Sequence, residues 1–483
     1  MSVVDSTRAV ELPAETPIPQ NATTRLLFGL LCVAVPVVLW FAPLGLEPRV
    51  QGALAITSFM ILAWMTNLME YAVVGLIGCL LYWALGVAPP ATAFGGFANS
   101  TTWFILAALL LGVISTKSGL PQRIGNFIVT HVGFSYSRIL LGIILTDFLL
   151  TFIVPTGTGR VVIMATIAIG LIKLFGVSAG SNVARGIFLI VTYTATIFDK
   201  MIIAGAAAIT ARGIIIEVGG VEVTWTIWFI AFLPASIATI VFAWWYTMWM
   251  YPPEVQSLEG KKEQIHAHFR NESQWTPDSK KAAVLLLAGV AVWMTDFIHH
   301  IDPALVALAV VLIALLPFVG VLTTDELKRT NMLPVLFVGT ALSMSAVLAA
   351  SGALTLLTNT VFSGLQPLLS SDVTAVPMLY WGAFFYHFFL ASEISMLATS
   401  MPILMNIANE NGLNPLWIGM LWTFAAGGKL FVYQSSVLVV GYSYGYFRHS
   451  DMIKIGIALT LIEFVLVVLT VALWWPIIGI ASR

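Results

Sequence analysis

The sequence predicts an all-α polytopic membrane protein built as an inverted repeat, each half holding a re-entrant hairpin and a broken spanning helix. Three observations predict it. Apolar runs of spanning length recur from Leu27 to Ile480, and only 9% of residues are charged, against about 25% in ordinary soluble domains. Two runs are too long for one crossing and carry helix-breaking or polar residues at their middles. Lysine and arginine fall almost wholly on one side when those two runs are read as hairpins. The net charge of -1 leaves no basic face for nucleic acid. Cys32 and Cys79 each sit inside an apolar run and suggest neither a disulfide framework nor a zinc site.

Residues 1–25 are polar, rich in Thr, Pro and acidic groups, and lack the apolar core of a signal peptide, so they read as a flexible cytoplasmic tail. The first membrane half covers 26–250, with spanning runs at 26–41, 52–68, 72–85 and 102–115. A run at 140–175 follows, interrupted by Pro155 and by Thr156-Gly157-Thr158-Gly159. An interior proline removes a backbone bond and close glycines weaken a helix, so this run predicts two half-length helices meeting at a tip. A broken helix at 186–212 contains Asp199-Lys200. A cytoplasmic linker occupies 251–281. The second half, 282–483, has the same layout: a span near 334–350, a hairpin at 376–407 interrupted by Ser392-Glu393-Ile394-Ser395, and a broken helix at 415–446. That last run carries Gly427-Gly428-Lys429, then Tyr433-Gln434-Ser435-Ser436. Paired breaks near the bilayer midplane are the pattern of inverted-repeat transporters.

The charge map sets orientation. With the amino terminus cytoplasmic, Lys117, Arg123, Arg138, Lys173, Arg185, Lys261, Lys262, Arg270, Lys280, Lys281, Lys328, Arg329, Arg448 and Lys454 fall inside, and Arg49, Arg212 and Arg483 outside. A full crossing by either hairpin would scramble this bias downstream. The first hairpin therefore opens from the cytoplasm and the second from outside, in the inner (plasma) membrane.

Charges at the breaks point to an anion. A half-helix starting just after Thr156 to Gly159 offers unpaired amides, the positive end of its dipole, and the Thr156 and Thr158 hydroxyls. The competing reading is a kink packed against a neighbour. Arg160 in its first turn opposes the dipole and needs a counter-charge. That is either a substrate carboxylate or a permanent pair with Glu393 or Asp199. Lys200 and Lys429 lie at equivalent places in the two broken helices. Lys429 is the stronger substrate candidate, and Asp199-Lys200 can neutralise each other. Glu393 follows Ser392, the expected N-cap, and is either a capping or ion-paired group or a coupling site for a proton or cation. Ser395, Tyr433, Gln434 and Ser435 complete the candidate substrate-binding set.

His299, His300 and Asp302 read as a solvated external loop, His266 and His268 as part of the linker, and His387 as a packed hydrogen-bonded residue. There is no zinc-protease motif, phosphate loop or nucleophile elbow, which argues against an enzyme. No cofactor is expected beyond sodium or a proton as coupling ion.

The chain resembles the divalent anion:sodium symporter superfamily, carriers of dicarboxylates, tricarboxylates and sulfate, over nearly the whole membrane region. The resemblance rests on GFANSTTWFILAALLLGVISTKSGL at 96–120, MYPPE at 250–254, Trp275-Thr276-Pro277, SDMIKIG at 450–456 and WWPIIG at 474–479. The family has Ser-Asn-Thr at each hairpin tip, contacting substrate carboxylates and building sodium sites. Here the first tip reads Thr156-Gly157-Thr158 and continues to Arg160, similar to the Asn-Thr-Ala-Arg variant of plastidic and tartrate/succinate-type exchangers. The second keeps Ser392 and replaces the Asn with Glu393. The resemblance implies an elevator-type transporter, with hairpins and broken helices as the moving unit and the remaining helices as a dimerising scaffold, hence a homodimer. Fixed charge where the family binds sodium suggests exchange of small organic anions or proton coupling through Glu393. The alternatives are a sodium-coupled symporter and an anion channel.

Overall fold

The computed structural model describes residues 22–203, 205–261, 263–264, 275–390 and 392–483. Most of the predicted tail, and Lys262, His266, His268 and Arg270 of the predicted linker, lie outside them. The helices begin where local chemistry starts them. Pro48, Pro277, Pro303 and Pro415 each occupy the first position of a helix, where the missing N–H costs nothing. The chain opens with α1 (Ala22–Phe41), α2 (Pro48–Met65) and α3 (Tyr71–Ala84). The helix therefore takes in the last four residues assigned to the tail, Ala22 to Arg25. Likewise the linker ends early, because Thr276 caps the helix starting at Pro277 in a reciprocal box with Ser279.

Next come α4 (Ser100–Ser118) and α5 (Leu120–His131), joined by Gly119 at a φ of 60°, a left-handed turn that glycine adopts without penalty. The first hairpin is α6 (Tyr136–Leu150) with α7 (Gly157–Phe175), and the first broken helix is α8 (Asn182–Met201) with α9 (Ala206–Glu217). After α10 (Trp225–Met250), α11 (Pro277–Trp293) and α12 (Pro303–Leu315), the same order of elements returns. Helix α13 (Leu333–Ser351) ends at Gly352, again left-handed, and α14 (Ala353–Leu369) follows. Then come the hairpin α15 (Asp372–His387) with α16 (Glu393–Glu410), the broken helix α17 (Pro415–Ala425) with α18 (Ser436–Ser443), and α19 (His449–Leu469).

The interruptions sit slightly away from the sequence expectation. Helix α7 starts at Gly157, so Gly157 and Gly159 lie inside its first turn. Thr156 is the extended N-cap, its hydroxyl accepting from the Gly159 amide at 3.3 Å. Asp199-Lys200 lies in the last turn of α8, and the break itself falls after Met201. Backbone groups freed at such buried breaks must be satisfied inside the protein. The Trp228 indole donates to the Lys200 carbonyl at 2.8 Å. At the second break the Gln434 side-chain Oε1 accepts from the Leu430 and Phe431 amides at 2.7 and 2.8 Å.

Packing interleaves the two halves. Helix α18 lies against both α7 and α8, while α9 lies against α16 and α17. Gly157 marks one close approach: a β-carbon there would lie 2.8 Å from Val437 Cγ2 and 3.0 Å from Asp199 Oδ2. Around this inner group, α4 packs on α11 and α12, and α13 packs on α3. Glu254, from the MYPPE segment, accepts from the Asn182 and Val183 amides at the start of α8 at 2.6 and 3.2 Å. Partial desolvation works against its ionised form, but these amides outweigh it and hold the carboxyl below the usual carboxylate range. Seven helices are long and apolar enough to cross a membrane among the described residues.

Candidate functional site

The two hairpin tips and the two helix breaks bring their charges into one buried region, in two clusters. In the first, Arg160 is fully buried. Its Nε donates to Asp147 at 3.1 Å and its Nη1 to Asp199 at 2.9 Å. The same Nη1 reaches the Val154 carbonyl at 3.3 Å, and Nη2 donates to the Ala195 carbonyl at 2.5 Å. Every guanidinium nitrogen is thus engaged by protein oxygen. Of the counter-charges open to Arg160, the structure supplies Asp199 and adds Asp147 from α6. No edge of the fork is free for two-point contact with a carboxylate in this arrangement.

The second cluster has the opposite balance. Glu393, the first residue of α16, ion-pairs with Lys429 from the second break and with Lys200 from the end of α8, the latter at 3.1 Å. Lys200 also donates to the Thr196 carbonyl at 2.9 Å. Asp199 and Lys200 therefore do not neutralise one another. Adjacent helical side chains diverge by about 100°, and here they diverge into different clusters. Ser392 sits at the N-cap with extended backbone, but its side chain makes no capping bond. The negative charge of Glu393 at the first helical position provides the favourable dipole interaction instead.

Polar groups with unused bonding capacity flank this cluster in sequence, Ser395 two residues after Glu393 and Gln434 five after Lys429. The Ser395 hydroxyl and the Gln434 amide nitrogen are buried and meet no hydrogen-bond partner among the described residues. His387 is fully buried beside Glu393, Lys429 and the Ala426 backbone. Ser435 caps α18 by accepting from the Val437 amide at 3.2 Å. Tyr433 is half-exposed, stacks on Phe431, and donates to the Phe388 carbonyl at 3.2 Å. Thr158 is partly exposed at the first tip. Away from the site, a cavity of about 310 Å³ opens among Arg212, Glu222, His300 and Asp302. Arg212 pairs with Asp302 and His300 with Glu222 there.

Two acids of the region escape a reading by motif, Asp147 and Glu463. Asp147 is the one carboxylate of α6, and Glu463 stands among apolar residues 12 positions past Asp451 in α19; the signal available was that local isolation, since an intramembrane ionisable group needs a partner. Glu463, on α19, is 2% exposed and its Oε1 has no hydrogen-bond partner among the described residues. Gly427 lies between it and Lys200: a β-carbon there would sit 2.9 Å from Lys200 Nζ and 3.2 Å from Glu463 Oε2.

A family model described as the sodium:sulfate symporter transmembrane region matches residues 22–481. The chain belongs to this family. It is a membrane transporter of the divalent anion:sodium symporter group, and not an enzyme. A membrane protein of Cupriavidus necator is 26% identical, with 96% of this chain and 95% of that protein covered. The L-tartrate/succinate antiporter of Escherichia coli is 24% identical over 95% of this chain and 99% of its own length. The putative malate transporter YflS of Bacillus subtilis is 22% identical over 95% and 98%. In fold, the chain is similar to the solved Neisseria gonorrhoeae MtrF, described as illuminating a class of antimetabolite efflux pumps. The TM-score is 0.58 at 13% identity, with 97% of each chain covered.

Proposed function

We propose that this family member is a secondary active transporter of small organic dianions, of the dicarboxylate class, working by exchange or proton coupling. The observation that carries the reading is the meeting of Lys200 and Lys429, from two separate broken helices, on Glu393 at the second hairpin tip. Among these three side chains, two ammonium groups on one carboxylate leave a surplus of one positive charge, and the Ser395 hydroxyl and Gln434 amide nitrogen are buried donors without a partner among the described residues. A carboxylate of the substrate takes that surplus, and its second carboxylate meets the amides and hydroxyls at the first tip, Thr156 to Gly159. The relatives named for malate and for tartrate/succinate support the dicarboxylate class.

On this reading the recurring element order is an inverted repeat. The hairpins and broken helices move as an elevator against α1 to α4 and α10 to α14 in a homodimer. The amino terminus is cytoplasmic, and the membrane is the plasma membrane. Support comes from the side-biased lysines and arginines and from the crosswise packing of the hairpins on the opposite broken helices.

The family description favours a second reading, a sodium-coupled symporter with a cation site at Glu393. Against it stand the two ammonium groups already on that carboxylate. Purified protein in liposomes, loaded with malate and assayed for radiolabelled succinate entry, decides between them. Saturable entry accelerated by internal malate is expected. Strong stimulation by an inward sodium gradient without any effect of internal malate would sink the exchange reading, and non-saturating currents proportional to voltage would indicate a channel.

A further inference from the structure

Resting on the transporter reading, we propose that Glu463 is the proton-carrying group of the site: one proton binds its carboxylate with each incoming anion and leaves with it on the opposite side. The argument begins with charge. The buried region holds Asp147, Asp199, Glu393 and Glu463 against Arg160, Lys200 and Lys429. With all seven ionised it carries one excess negative charge before any substrate enters. A dianion makes that worse, and excess charge in a low-dielectric interior is poorly tolerated. Neutralising one acid lets the anion in.

Geometry selects which acid. Asp147 and Asp199 are both held by Arg160, and Glu393 by two lysines. Glu463 is the carboxylate of this set with no ion pair or hydrogen bond among the described residues, and it is buried. The charged groups around it come from several elements: Lys200 from α8, Lys429 from the second break, and Glu393 from α16. From α15, Tyr380 donates to the Thr460 carbonyl one turn before Glu463, and His387 lies near Glu393, Lys429 and Lys200. Helix α10 also packs on α19, but its titratable Tyr246 lies toward the opposite end, near the Tyr251–Asp451 bond.

The local consequence is a switch in sign. Lys200 and Lys429 against ionised Glu393 and Glu463 sum to zero, whereas with Glu463 protonated the same four groups carry one positive charge, which suits an anion. A proton fits this place better than sodium. Sodium would bring a third cation beside the two ammonium groups and needs several oxygen ligands, while a proton removes a charge on the carboxylate itself. The proton comes from water on the side where the anion enters, bonds a Glu463 oxygen, and returns to water on the other side, so no other bond forms or breaks.

The test uses the full chain in liposomes, with radiolabelled succinate as probe. The membrane potential is clamped to zero, and both faces are kept above the pH at which succinate itself protonates. An acid-outside gradient of one pH unit is expected to drive about tenfold accumulation per coupled proton. A trapped pH dye should report acidification of the lumen when succinate is added. Glu463→Gln is expected to exchange succinate for succinate yet lose accumulation, and Glu463→Asp to regain part of it. Accumulation by Glu463→Gln equal to that of the unchanged protein overturns the proposal. So does unchanged protein that exchanges succinate without accumulation or lumenal acidification, a result that leaves the transporter reading standing. Absence of any saturable succinate flux would instead defeat that underlying reading.

Discussion

The two hairpin tips differ in sign and in saturation. At the first, one cation serves two acids, and the guanidinium spends each nitrogen on protein oxygen. At the second, one acid serves two cations, with buried donors left over nearby. A saturated cluster has little to offer a ligand and much to lose if a member is removed. An unsaturated one is the reverse. The first tip therefore acts chiefly as a staple joining α6, α7 and α8, and the second as the place that responds to an anion. Arg160, the most conspicuous anion-binding candidate by residue type, falls on the stapling side.

Three substitutions would break or sharpen this contrast. The largest effect is expected from Arg160→Ala, which strands Asp147 and Asp199. Breaking a buried pair on one side costs about 3–5 kcal/mol. Thermal unfolding in detergent should show a large drop in the midpoint that succinate does not recover. A variant that unfolds like the unchanged protein but no longer responds to succinate would reverse the roles of the tips. Next is Lys429→Met, which leaves Glu393 its pair with Lys200. Removing one charge-assisted contact to the anion should weaken succinate binding by about 1.5–3 kcal/mol, roughly tenfold to a hundredfold. That loss would be read as a smaller succinate-induced rise in the unfolding midpoint. Smallest is Thr156→Ala, where loss of the N-cap of α7 should cost about 1 kcal/mol. Equilibrium denaturation would measure it, and a tenfold loss of succinate affinity alongside would show that this hydroxyl also touches the anion.

Much of this arrangement is legible in the chain. Pro155 and the Ser392-Glu393-Ile394-Ser395 interruption mark the hairpins because an apolar run of fixed length can cross a bilayer only once. The residues at the breaks come into view because polar groups at that depth are expensive. Partnership is another matter. Arg160 meets Asp147 across 13 positions and Asp199 across 39, and Lys200 meets Glu393 and not its neighbour Asp199. Those choices depend on how α6, α8 and α16 pack, which periodicity does not encode. The start of α7 two residues before Gly159 follows from the Thr156 cap, a local signal that the glycines mask.

Glu254 has a reach beyond its own turn. It grips the first amides of α8, and the same helix ends in Asp199 and Lys200. Twenty helical residues form a stiff rod about 30 Å long, gripped at one extremity by the segment after α10 and bearing the ion pairs at the other. Leverage of this kind makes the MYPPE segment a fulcrum. A slip of one residue at Glu254 would shift both charges by about 1.5 Å along the axis, so the alignment of the distant ion pairs is set partly by a carboxylate that never touches them.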